Sequence, residues 1–170
     1  MGSDVVPRPS RQLDEFEERV YRYFEYISSR DNAQTWGLNP SSIHFESASR
    51  GPPAQVTYRL TVEPSMTNLL GNLHGGCAAT LIDNLSTTIL WGVSSPGLFE
   101  SGGVSRNLNL TYLRPVPVGA DIRIICEVVQ LGKRLALLRS EIRLNDSQGT
   151  VCVISDHQKF NTDARSAGKF

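Results

Sequence analysis

One run of sequence limits this chain more than any other. From about Gly75 to Val93, the residues Ala78, Ile82, Leu85, Ile89 and Val93 fall on one helical stripe, and Leu81, Leu90 and Trp91 widen it. A helix apolar over most of its circumference belongs in a core and must be enclosed by something. The flanking sequence supplies the enclosure at period two. Ile43 and Phe45 precede a Gly51-Pro52-Pro53 turn, and Val56, Tyr58, Leu60 and Val62 follow it. After the helix, Val104, Leu108, Leu110 and Tyr112 alternate with Ser105, Asn107, Asn109 and Thr111. Three more strands are expected over roughly 120–131, 134–145 and 150–161, divided by Gly132-Lys133 and by Asn145-Asp146-Ser147-Gln148-Gly149. Upstream, Leu13, Phe16, Val20, Phe24 and Ile27 recur at helical spacing and predict an amphipathic helix over about 12–30. The sum is an α+β protein: an antiparallel sheet wrapped around one long buried helix, with an extra N-terminal helix. Residues 1–11 are expected to be a loose polar tail, 12–162 a single domain, and 163–170 a C-terminal tail.

Composition narrows the partners. The chain has 170 residues, with 17 Lys plus Arg against 17 Asp plus Glu, so its formal charge is zero. Its basic residues are scattered, and no stripe exists for a phosphate backbone or an anionic membrane to follow. A small-molecule partner is expected, with no nucleic acid and no membrane. Cys77, Cys126 and Cys152 are odd in number, far apart and set in apolar surroundings, as buried thiols in a reducing compartment would be. No Cys-x-x-Cys spacing occurs, and His44, His74 and His157 are isolated from one another, so no metal site is expected. The N-terminal residues lack an apolar signal segment and make a poor transit peptide. Cytosol is the default compartment, with a mitochondrial address left open.

The segment carrying chemistry is Asn68-Leu69-Leu70-Gly71-Asn72-Leu73-His74-Gly75-Gly76, which leads into the helix, followed by Asp83 within it. Gly75-Gly76 at the start of a buried helix gives close backbone approach, unpaired N–H groups and the positive end of a helix dipole, a place where an oxyanion could rest. The same pair could simply make a tight entry. Asp83 stands on a stripe with Thr80 and Thr87 in a helix otherwise clad in Ala, Leu and Ile. It is a functional acid, a solvated one facing water or a second subunit, or half of a structural ion pair. His157, alternating with Ile154 and Phe160 on a strand, reads as a structurally satisfied histidine.

The pattern Asn68-(x)5-His74-Gly75-Gly76-(x)6-Asp83, continued by Asn84-Leu85-Ser86-Thr87, resembles the acyl-CoA thioesterases of the hotdog fold, in the branch of the phenylacetate-pathway thioesterases and animal thioesterase superfamily member 2. The resemblance covers about 55–160. It implies a thioester hydrolase in which Asn68 and the Gly75 N–H polarise the thioester carbonyl and His74 helps place the Asn68 side chain or the substrate. Asp83 would act as general base on water or as nucleophile, and Ser105 would help hold that water. CoA is then part of the substrate, and no separate cofactor is implied. Arg114, Lys133 and Arg134, at strand tips that lie near the nucleotide in this family, are the expected phosphate-binding cations. Asn72 and Arg106 depart from the family pattern.

Distance adds a constraint of its own. Gly75 and Asp83 are eight residues apart on one helix, which is roughly 12 Å along its axis at about 1.5 Å per residue. A reacting carbon must lie close to both the oxyanion donors and the attacking group. One chain therefore cannot easily assemble the site, whereas two antiparallel helices across a two-fold axis can. A homodimer is expected, and a dimer of dimers beyond it. A thiolate leaves without a strong acid, so no nucleophilic Ser-His-Asp set is required, and no Gly-x-Ser-x-Gly occurs here. Two other functions share this fold: a non-hydrolytic acyl-thioester binding or regulatory module, and a dehydratase or isomerase recruited to biosynthesis. Nothing in the sequence specifies the acyl group. Trp91, Leu98 and Phe99 read as finishing the core in preference to lining an acyl tunnel.

Overall fold

The computed structural model describes residues 6–28 and 42–163. Helix α1 runs from Glu15 to Ser28, and the last two positions of the expected helix lie outside the described residues. Its start is fixed by reciprocal capping. Asp14 Oδ1 accepts from the Glu17 N–H at 2.8 Å, and Glu17 Oε2 accepts from the Asp14 N–H at 3.3 Å. Glu17 also takes a two-pronged contact from the Arg11 guanidinium (2.7 and 2.6 Å) and the Ala48 N–H at 3.2 Å. These hydrogen bonds, led by the one from Arg11, hold its carboxyl down at about 2. Of the leader expected to be loose, residues 6–11 are described. Val6 is buried, and its carbonyl accepts from the Tyr21 hydroxyl.

Six strands follow: β1 His44–Ser49, β2 Gln55–Thr61, β3 Val104–Tyr112, β4 Asp121–Leu131, β5 Leu135–Leu144 and β6 Val151–Phe160. They form one antiparallel sheet in the order β1-β2-β4-β5-β6-β3. Strands joined by short turns pair with each other, as alternation and turn residues dictate. β3 does not pair with β4, because residues 113–120, with Pro115 and Pro117, carry the chain past the helix to the interior of the sheet. β3 is thereby left as an edge.

Helix α2, Gly75–Val93, spans the range expected from its apolar run and packs against the sheet and against α1. Leu81, Ile82, Leu85, Ile89 and Leu90 are buried among Val56, Tyr58, Ile122, Ile124, Leu138 and Ile142. At Gly92 the two helices meet so closely that a Cβ would lie 2.6 Å from Phe16 and 2.7 Å from Val20. Three consecutive polar residues on α2 are buried, and each has a partner. Ser86 bonds His157, Thr87 bonds Lys159, and Thr88 bonds Tyr58. The first two bonds belong to the candidate site.

Candidate active site

The entry to α2 is built from a tight loop. The Asn68 N–H donates to the Asn72 carbonyl (2.8 Å), and the His74 N–H donates to that of Met66 (2.8 Å). Asn68 Oδ1 accepts from the Leu70 and Asn72 N–H groups (2.9 and 3.3 Å), which turns its NH2 group away from the loop. His74 is the N-cap of α2, and its Nδ1 accepts from the Gly76 N–H at 3.0 Å, so a neutral ring carries its proton on Nε2. Across the helix start, the Tyr112 hydroxyl donates to the Gly75 carbonyl at 2.8 Å. The Gly75–Gly76 peptide is thus held at both ends, its oxygen by Tyr112 and its N–H by His74. The Gly75 N–H remains one of the helix's outward-pointing donors.

Two turns along α2, Asp83 presents a half-exposed carboxylate against β3. Ser105 Oγ lies 2.7 Å and His157 Nε2 3.2 Å from its Oδ1. His157 Nε2 is also 2.9 Å from Ser105 Oγ, and its Nδ1 is 2.8 Å from Ser86 Oγ. Only one proton arrangement satisfies these contacts with a neutral ring: Ser86 donates to Nδ1, Nε2–H donates to Ser105, and Ser105 donates to Asp83. Burial is the main reason the imidazole is neutral. The ring has no exposed surface, its pKa is lowered to about 4, and Lys159 pushes it the same way while Asp83 opposes. Lys159 is itself buried, with Nζ 3.1 Å from Thr87 Oγ1 and 3.3 Å from Ser105 Oγ. Burial lowers its pKa, and Asp83 works against that shift. A cation and a one-way chain of donors therefore back the carboxylate from inside the fold.

Ser105 is aimed by a bulge. The β3–β6 register shifts between Ser105 and Asn107, and Arg106, one of the two departures from the family pattern, is the extra residue. Asn72, the other, donates from Nδ2 to the Leu70 carbonyl at 3.2 Å and pairs with Pro117. Cys77 is buried and its thiol is pushed up to about 11, in keeping with a packing role.

The structure brings Asn68, His74 and Gly75 together at one end of α2, and Asp83 and Ser105 together further along it. It does not join the two groups within one chain. Arg114 follows β3 at the Tyr112 end, with its N–H on the Cys152 carbonyl, whereas Arg134 receives the Asn161 N–H on its carbonyl at the Ser105 end. Those contacts are nine residues of β6 apart, about 30 Å at roughly 3.3 Å per residue, so Arg114 and the Lys133–Arg134 pair sit at opposite ends of the sheet. Sequence reasoning missed Tyr112 and Lys159 and assigned His157 to structure alone. The ring is indeed satisfied, but by Ser105 and Ser86, and so it sits behind Asp83. A signal was available: Val153, Ser155, His157 and Lys159 share the inward face of β6 and change from apolar to cationic toward Ser105.

Comparison with known proteins agrees with this architecture. The thioesterase superfamily model matches residues 70–152. Human acyl-coenzyme A thioesterase 13 is 36% identical over 137 residues, covering 79% of this chain and 91% of that protein. The crystal structure of zebrafish thioesterase superfamily member 2 superposes with a TM-score of 0.70 at 29% identity, over 84% of this chain and 95% of that one. The mouse member 2 structure gives 0.69 at 26% identity, over 87% and 98%. With the helix-wrapping sheet and the diglycine helix entry both in place, the chain belongs to the thioesterase superfamily, as a member with the hotdog fold.

Proposed function

We propose that this protein hydrolyses acyl-CoA thioesters to the free acid and CoA, at sites shared between two copies of the chain. The observation that carries the proposal is the pairing of Ser105 Oγ with Asp83 Oδ1 at 2.7 Å, fed from inside by His157. Protein contacts collect on one carboxylate oxygen while the side chain stays 43% exposed, so the acid is both held in place and open to a substrate or water. The Gly75 N–H and the Asn68 NH2 group form the complementary half.

Edge strand β3 supports the pairing of copies. Val104 and Tyr112, at its two ends, are 52% and 54% exposed, and β6 is its only partner among the described strands. Antiparallel pairing of two β3 edges about a two-fold axis sets the Tyr112 end of one copy against the Ser105 end of the other. Gly75, Tyr112 and Arg114 of one chain then face Asp83, Ser105 and the Lys133–Arg134 turn of its partner. The two halves of the reacting centre meet, and so do the two groups of cations for the CoA phosphates. A dimer of dimers is the larger assembly proposed. The three cysteines are free and buried, which suits a reducing compartment such as the cytosol.

In the water route, Asp83 takes a proton from water as its oxygen bonds to the thioester carbon. The carbonyl electron pair moves to an oxyanion held by the Gly75 N–H and Asn68. Collapse of this intermediate breaks the C–S bond, and the departing CoA thiolate takes up the proton from Asp83. If Asp83 attacks directly, its oxygen bonds to the thioester carbon, the same two donors hold the oxyanion, and collapse breaks the C–S bond to expel the CoA thiolate and leave an acyl-aspartyl anhydride; water then opens the anhydride to the free acid and the Asp83 carboxylate, releasing the proton that the thiolate takes up. Neither route calls on a group beyond substrate, water and this chain.

The test is Asp83→Asn with a thiol-release assay, beside calorimetry with a non-hydrolysable CoA thioester. The variant should remain dimeric, bind the analogue, and lose at least about a thousandfold in kcat. Undiminished thiol release would refute the assignment. Analogue binding by a wild type that releases no thiol would make the protein a binding module.

A further inference from the structure

The bulge that aims Ser105 at Asp83 leaves its neighbour on the other face of the sheet. On β6, His157 and Lys159 face α2, where they bond Ser86 and Thr87, so Gln158 between them faces away from the helix. Register carries this outer face across the sheet: Gln158 pairs with Asn107 of β3 and with Leu137 of β5, and Leu137 pairs with Gln130 of β4. Arg106, the extra residue of the bulge, stands at the β3 end of the row. A cavity of about 280 Å³ follows it, lined by Arg106, Gln158, Leu137, Leu135, Ala136 and Gln130. With strands about 4.8 Å apart, three spacings take the row roughly 14 Å from Arg106 to Gln130. Lys133 and Arg134 immediately precede Leu135, in the turn at the same end of the sheet.

Charge singles this cavity out. Arg123, Arg139 and Arg143, on β4 and β5, each meet a carboxylate within 3.4 Å. Arg106 has no carboxylate partner among the described residues, and no acid lines the cavity. The walls offer aliphatic carbon, two side-chain amides and one guanidinium, a set suited to a flat polar ring that carries phosphate.

On the reading that the protein is an acyl-CoA hydrolase, we propose that this outer cavity holds the nucleotide end of the substrate, with Arg106 as the contact to one of its phosphates. Ser105 and Arg106 are adjacent, yet one addresses the Asp83 centre and the other the outer face. Both lie within three residues of the start of β3, so the pantetheine arm of a bound thioester has only to round the end of that strand to join them. Asp83, Ser105, Arg106 and the Lys133–Arg134 turn come from one copy of the chain, so the carrier is gripped by the same subunit that supplies the acid. Arg106 departs from the family pattern, and this grip is therefore a property of the present chain. It makes the enzyme prefer thioesters of CoA over thioesters of a carrier without phosphate.

The experiment measures kcat and KM for one acyl group on three carriers: CoA, dephospho-CoA, which lacks the 3′-phosphate, and pantetheine, which lacks the whole nucleotide. The proteins are the full-length wild type, Arg106→Met and Gln158→Glu. Arg106→Met keeps an aliphatic stem and removes the charge, whereas Gln158→Glu leaves Arg106 in place and gives it a carboxylate from the neighbouring strand. Each should lower kcat/KM for acyl-CoA about tenfold, the value of a charge-assisted hydrogen bond, chiefly by raising KM, and should change acyl-pantetheine by less than about twofold. Acyl-dephospho-CoA identifies the phosphate: a loss that persists on it places Arg106 on the diphosphate, and a loss that vanishes places it on the 3′-phosphate. Equal losses on acyl-CoA and acyl-pantetheine, or wild-type kinetics on acyl-CoA in Arg106→Met, would overturn the proposal and leave Asp83-dependent hydrolysis standing. Wild type that releases thiol from none of the three carriers would instead defeat the proposed function, and this site with it.

Discussion

Neutral His157 carries a cost in acid that can be worked out and measured. Its pKa is about 4 in the fold against 6.5 for the free side chain. The unfolded chain therefore takes up a proton that the native one refuses. Stability from this group is complete above about 6.5, falls as the pH drops toward 4, and is constant again below. Linkage over the 2.5-unit gap amounts to about 3 kcal/mol in total, of which about 2 kcal/mol is lost between pH 7 and pH 5. With an m-value near 2 kcal/mol/M, that is a fall of about 1 M in the urea midpoint. The comparison is with His157→Gln, whose amide can still donate to Ser105 but does not titrate. Each protein is unfolded at pH 7 and pH 5 at one fixed concentration, since subunit association adds to apparent stability. His44, also lowered by burial, titrates nearby, and Glu17 titrates below this range, but both are present in the two proteins and cancel. Wild type should lose about 2 kcal/mol more than the variant over this interval. Losses equal within about 0.5 kcal/mol would mean that the native imidazole accepts a proton, and the donor chain through Ser105 to Asp83 would be wrong.

Two more substitutions test other links. Tyr112→Phe removes the hydroxyl from the Gly75 carbonyl and leaves the His74 contact alone to orient the first peptide of α2. Loss of one hydrogen bond of about 1 kcal/mol at the oxyanion corner should lower kcat about fivefold with little change in KM or melting temperature, and unchanged kcat would show that the clamp is idle. Glu17→Gln should cost about 1–2 kcal/mol by thermal or urea unfolding, because the charged two-pronged contact from Arg11 becomes a neutral one where leader, α1 and β1 meet, while the half-exposed guanidinium stays solvated and keeps the Glu46 carbonyl. The carboxyl's depressed pKa makes its contribution full above about 4.5 and lost as the pH falls through about 2, so at pH 2 the variant and wild type should converge.

What the sequence disclosed follows from how local each signal is. The apolar run from Gly75 to Val93 and the alternation along β3 to β6 are repeated many times over, so element type and range emerge almost to the residue. The hydrophobic stripe, with Leu13 in it, puts the N-terminal boundary at about 12, yet α1 begins at Glu15: the Asp14–Glu17 capping box, a feature of only two side chains, overrides the stripe. Asn68, Gly75 and Asp83 lie within sixteen positions of one another and form a pattern, whereas His157 and Lys159 reach Asp83 only through the β3–β6 register, 52 and 54 residues away from Ser105. Pairing of β3 with β6 is a long-range choice made by the 113–120 crossover, and no window of sequence contains it.

In the proposed dimer, that same crossover ties the site to assembly. By carrying the chain away from β3, it leaves at the sheet edge the strand that bears Ser105 at one end and Tyr112 at the other. Inside the sheet, β3 would be paired on both sides, and the two ends of α2 would have no way to meet their complements. The buried Lys159 and His157 then have a clear physical role. An edge strand is the least restrained element of a sheet, and two hydrogen bonds from the adjoining β6 onto Ser105, with a bulge at Arg106, fix the side chain that holds Asp83 before the proposed second copy arrives. If so, Lys159→Met, which keeps the stem and removes the donor, should weaken catalysis more than it weakens dimerisation. The check is kcat at saturating protein concentration beside the dimer dissociation constant from ultracentrifugation. A variant that loses activity only through dissociation would place Lys159 in the scaffold and leave the orientation of Ser105 to His157 and the bulge.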